Sequence, residues 1–138
     1  MKEKFIVAFM ILVSSIKAQD TTHIINAPHG GILKSIQSYK IEAVESYGCV
    51  SIYLYDDALR PIPNKGISGE ILFFYNNDAG INVALIPKLN NSFVAEVLNS
   101  DYYYYTVNLK VNNNTIKAKF NNLTGLADRK SEKIKPNK

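Results

Sequence analysis

The chain has 138 residues, a formal net charge of +4, 46% hydrophobic residues, one cysteine and no tryptophan. Its positive charge sits at the ends: residues 1–19 carry a net +2 and residues 126–138 a net +3, which leaves 20–125 at −1. A nearly neutral body with a short basic tail excludes nucleic acid as a partner, and a lone cysteine excludes an intramolecular disulfide.

In chain order, residues 1–19 read as a signal peptide. Lys2 and Lys4 precede the apolar run "FIVAFMILVSSI" (5–16), which is shorter than the ~20 residues of a membrane span. "KAQ" follows, placing cleavage after Ala18 or Gln19. No second long apolar run follows, so the expected product is periplasmic or secreted and does not span a membrane. Residues 20–27 form an expected flexible N-terminal segment, 28–125 a single domain, and 126–138 a basic disordered tail. Both methionines lie in the first 19 residues, so the mature chain has no thioether ligand.

Period-two alternation predicts seven strands over the domain. These are "YKIEAVE" (39–45), "CVSIYLYD" (49–56), "GEILFFY" (69–75), "INVALI" (81–86), "SFVAEVL" (92–98), "YYYYTVNLKV" (102–111) and "TIKAKF" (115–120). Turn chemistry separates them: a proline- and glycine-bearing loop at 56–69, and hairpin turns at "NNDAG" (76–80) and "NNN" (112–114). The expected fold is all-β, a seven-stranded antiparallel β-sandwich of immunoglobulin-like or transthyretin-like outline.

The motifs of common enzyme classes are missing. There is no Gly-x-Ser-x-Gly, no His-Glu-x-x-His and no phosphate-cradling glycine loop. Glu42 and Glu45 are an odd number of residues apart, on opposite faces of one strand, so they cannot flank one bond. Cys49 opens a strand with no neighbouring cation to activate it against His29. The expectation is a protein that is not an enzyme.

"NAPHGGILKS" (26–35) carries the more specific signal. His29 precedes two glycines whose bare backbone permits close approach to a bound ion or to a neighbouring strand. The candidate metal donors are His29, His23, Glu42 and Cys49. Imidazole with thiolate suits copper or zinc, and imidazole with carboxylate suits zinc or Cu(II). The alternatives are a plain turn into the first strand for His29 and a small apolar core residue for Cys49. In "DYYYY" (101–105), Tyr102 and Tyr104 are expected to point away from the core. They either offer an aromatic binding face or stabilise the sheet through cross-strand pairs. Asn90, Asn113 and Asn122 begin Asn-x-Ser/Thr sequons, which matter only where exported proteins are glycosylated.

Taken in order, "PHGG" (28–31), "YKIEAVE" with Glu42, "VSIYLYD" (50–56) followed by Pro61, Gly69, "LIP" (85–87), "FVAEV" (93–97) and the strand ending at Phe120 resemble a group of small exported bacterial β-sandwich proteins and domains. The group is common in Bacteroidetes-type genomes and carries His-Gly-Gly near the mature N-terminus. Similar segments occur in, or encoded beside, periplasmic adaptors of copper/silver-type heavy-metal efflux pumps. The resemblance spans about residues 28–121. It implies periplasmic handling of copper, silver or zinc, with His29 a carried-over ligand, Glu42 a second, and an efflux adaptor as partner. The contrasting expectation is a metal-free immunoglobulin-like module that docks a protein or glycan through Tyr102, Tyr104 and the 56–69 loop.

Overall fold

Alternating apolar and polar residues leave each strand with one face to bury, and two sheets stacked face to face bury both. The computed structural model describes residues 26–76, 80–89 and 91–122. The expected signal peptide, His23, Asn90 and the basic tail lie outside the described residues, as does most of segment 20–27.

The described residues form nine strands: β1 (Ile32–Ile36), β2 (Tyr39–Ser46), β3 (Cys49–Asp56), β4 (Ser68–Phe74), β5 (Gly80–Ala84), β6 (Ile86–Lys88), β7 (Ser92–Glu96), β8 (Tyr104–Val111) and β9 (Asn114–Asn121). One sheet has the order β1-β2-β3-β7-β6, the other β5-β4-β8-β9, and every pairing is antiparallel. None of the described residues forms a helix long and apolar enough to cross a membrane.

Three expectations are corrected. The strand count is nine, not seven. β1 escaped the alternation rule because "ILKSI" mixes Lys34 and Ser35 into a short edge strand whose residues are mostly only half-buried. The predicted strand at 81–86 is two: β5 pairs with β4 in one sheet and β6 with β7 in the other. Leu85 lies at the crossing, 7% exposed, with its amide donating to the Gly69 carbonyl. The crossing puts Pro87 on the outermost strand of its sheet, where a missing amide is tolerated.

The third correction concerns the tyrosines. Tyr102 is 4% exposed, packed against Phe73 and Tyr105, and it is Tyr103 that faces outward. The chain bends at Tyr103 before β8 begins, so the alternation of β8 does not extend back to Tyr102. The Asn122 side chain and the amides of Tyr103 and Asn122 hold this bend through main-chain bonds. Burial and the nearby Glu45 carboxylate raise the Tyr102 phenol above its ordinary range, as expected of a core side chain.

The core lies between the sheets. Ile41 and Ala43 of β2, Val50, Ile52 and Leu54 of β3, and Phe93 of β7 face Ile71 and Phe73 of β4, Val107 and Leu109 of β8, and Ile116 and Phe120 of β9. None is more than 2% exposed, and full burial of the Val, Leu, Ile and Phe side chains among them stabilises by about 1.5–3 kcal/mol each. The "NNN" turn forms as its sequence requires: Asn112 and Asn113 both take left-handed φ (48° and 66°), the conformation of a two-residue hairpin turn.

Candidate functional site

Ile41 and Ala43 point into the core, so Glu42 points out of the sandwich on the other face of β2. Its neighbours there follow from the β2–β3 hairpin. Tyr47 and Gly48 form a two-residue turn, which sets Ser46 opposite Cys49 and Glu42 opposite Tyr53. Tyr53 and Tyr55 therefore share the outer face with Glu42.

The segment before β1 folds over this face. The Gly30 amide donates to the Ala27 carbonyl at 3.0 Å, closing a four-residue turn with Pro28 at its second position. Gly31 then runs against β2 so closely that a Cβ there would lie 2.3 Å from the Ala43 carbonyl oxygen. The turn segment delivers three donors to one carboxylate, and Tyr55 of β3 adds a fourth. Glu42 Oε1 accepts the His29 amide at 2.8 Å and the Gly31 amide at 3.0 Å. Glu42 Oε2 accepts the Tyr55 hydroxyl at 2.8 Å and lies 3.1 Å from His29 Nδ1.

Glu42 is 0% exposed. Burial by itself raises a carboxyl, but the Gly31 amide, the His29 ring, the Tyr55 hydroxyl and the His29 amide together outweigh it. Glu42 is held below its ordinary value of 4.5 and stays ionised. Burial and the hydrogen bond to this carboxylate push the Tyr55 phenol up, so it remains a neutral donor.

These charges fix the state of the imidazole. An ionised carboxylate only accepts, and the one Tyr55 proton is committed to Glu42 Oε2. His29 Nδ1 faces Oε2 at 3.1 Å and the Tyr55 oxygen at 2.9 Å. A lone pair at Nδ1 would oppose both oxygens, so Nδ1 carries a proton and donates. In the neutral ring the free lone pair is then on Nε2, which takes no hydrogen bond among the described residues. The ring stacks on Tyr53 with centroids 3.7 Å apart and planes 10° from parallel. The His29 side chain is 41% exposed. One edge of the imidazole is anchored to a buried anion, one face is covered, and the other nitrogen is left to make a bond.

Of the remaining predicted donors, Cys49 is not brought here. Cys49 lies on the same face, but four residues along β3 from Tyr53, about 13 Å at the strand rise of ~3.3 Å per residue. Its sulfur contacts Ser46 Oγ at 3.2 Å. His23 lies outside the described residues. Among the described residues no three His, Cys, Asp or Glu side chains converge on a common point. Tyr102 is in the core, and Tyr104 is half-buried, stacked on Phe74 at 4.5 Å with Lys119 Nζ 3.8 Å over its ring. The exposed Tyr102–Tyr104 face expected from alternation is therefore not formed.

Sequence reasoning did not single out Tyr53 and Tyr55. The available signal was two tyrosines on the polar side of a strand, together with the Tyr47–Gly48 turn that fixes them beside Glu42. Neither a family model, nor a curated protein, nor a solved structure matches this chain.

Proposed function

We propose that this protein is an exported, periplasmic accessory protein that binds copper, silver or zinc through His29 and buffers the ion or passes it to a metal-efflux adaptor. The observation that carries this reading is the 3.1 Å contact between His29 Nδ1 and the buried Glu42 carboxylate. Metal-ligating histidines commonly donate their second ring N–H to a carboxylate, which fixes the tautomer, aims the ring and makes the ligating nitrogen more basic. The residues present fit such a role: His29 Nε2 is the ligand, Glu42 orients it, and Tyr55 and Tyr53 hold the pair. A bound ion would supply positive charge and open coordination positions, and the chain's contribution is one aimed imidazole. A single imidazole leaves room for ligands from another protein, which suits an ion in transfer more than an ion locked in place.

The test is the affinity of purified protein for Cu(I), Cu(II), Ag(I) and Zn(II), measured beside His29→Ala. At least one ion is expected to bind the parent protein ten-fold or more tightly than the variant. Equal affinities for all four ions would end this reading. The tyrosine-strand alternative loses its support with the burial of Tyr102. Tyr102→Ala is expected to act as a core truncation, lowering the unfolding free energy by about 3–5 kcal/mol in denaturant titration. Were that loss below 1 kcal/mol, the side chain would not be the core element described above.

A further inference from the structure

We infer that the His29 site takes a divalent borderline ion, Cu(II) or Zn(II), in preference to monovalent Cu(I) or Ag(I). This rests on the reading of His29 as a ligand and narrows the ion that it serves.

Two features of the site point to this preference. The first is donor chemistry. The one ligand presented to an ion is an imidazole, which suits Zn(II) and Cu(II), whereas thiolate and thioether select Cu(I); the carboxylate and the phenol are spent on the Nδ1 side of the ring. The one thiol, Cys49, lies at the far end of the β2–β3 hairpin.

The second is charge. Glu42 is a wholly buried carboxylate whose two oxygens take two amides, a hydroxyl and the ring N–H at Nδ1, away from Nε2. Its attraction for an ion on Nε2 scales with the charge on that ion, so a divalent ion gains twice what a monovalent one does. The gain is larger in a poorly screened setting than in water. Among the described residues, Lys40 and Arg60 are already paired. Lys40, two residues from Glu42 on the same face, is committed to Asp57, bonding its carbonyl and lying 3.8 Å from its carboxylate. Arg60 is bound to Asp56 at 2.6 Å.

The experiment ranks Zn(II), Cu(II), Ag(I) and anaerobic Cu(I) by competition titration on the purified protein, His29→Ala and Glu42→Gln. The His29-dependent affinity for Zn(II) or Cu(II) is expected to exceed that for Ag(I) and Cu(I) by ten-fold or more. Glu42→Gln offers its amide to Nδ1, drives the ring proton to Nε2 and removes the outward lone pair. It is expected to weaken the divalent ions by about 10–100-fold and the monovalent ions by less. A His29-dependent affinity for Ag(I) or Cu(I) that equals or exceeds the divalent values overturns the inference and leaves the metal-binding reading standing. Loss of His29 dependence for every ion removes that reading, and this inference with it. Should Glu42→Gln not fold, the ranking on the parent protein decides alone. A Glu42→Gln protein that folds and binds divalent ions unchanged also overturns the inference, because the buried charge would then play no part.

Discussion

Glu42→Ala is expected to lower the unfolding free energy by about 3 kcal/mol at neutral pH, measured by denaturant titration. Each buried donor left without its acceptor costs about 1–3 kcal/mol, and this carboxylate serves two amides, a hydroxyl and a ring N–H. The total is less than the sum because the 27–31 turn, once released, can bond to water. The Tyr55 hydroxyl, 1% exposed beneath the turn, loses its acceptor as well.

The same substitution changes the pH dependence of stability, and the sign follows from the lowered acidity constant. A carboxyl whose folded value lies below 4.5 binds its proton more weakly when folded than when unfolded. Its contribution is present in full above the unfolded value and lost as pH falls through the folded one. The parent protein should therefore lose stability on acidification below about pH 4.5 more steeply than Glu42→Ala. A variant within 1 kcal/mol of the parent at pH 7, with a parallel acid profile, would mean that the carboxylate is not the anchor of the turn.

Gly31→Ala is the second large effect, at about 2–3 kcal/mol of lost stability. A Cβ at this position meets the Ala43 carbonyl oxygen at 2.3 Å and Val44 Cγ2 at 2.8 Å. The nearer obstacle is main chain within a central part of β2, so the turn has to lift away from the sheet and take the His29 amide with it. Gly30→Ala is the control. Its φ of +76° disfavours a side chain, but nothing lies within 4 Å of the added carbon, so the cost is only the ~1–2 kcal/mol of a left-handed backbone. If Gly31→Ala proved no worse than Gly30→Ala in thermal or denaturant unfolding, the close approach would not be holding the turn.

Much of the fold was legible because side-chain alternation, two left-handed asparagines and a proline-rich loop each state a local preference that agrees with the final sandwich. The failures fall where tertiary context overrides period two. β1 is short and its register comes from β2, to which it is hydrogen-bonded. Leu85 stays apolar through a sheet change that alternation cannot register. Tyr102 and Tyr103 exchange roles because a bend shifts the phase ahead of β8. At the site, the grouping of His29 with Glu42 was an expectation drawn from residue types and from the resemblance. Its cause was not visible: the four donors, the buried charge and the tyrosine wall depend on hairpin register. Cys49 shared the right face but the wrong end of the strand, a distinction that composition does not carry.

The clasp on Glu42 also governs where attachments may go. Whatever is fused ahead of Asn26 enters the fold immediately before the clamped turn, a few residues from the imidazole. A polyhistidine tag in that position would bring competing ligands to the very ring being assayed, and a bulky partner there would shade it. Affinity handles and reporters therefore belong after β9, whose last residues leave from the other sheet.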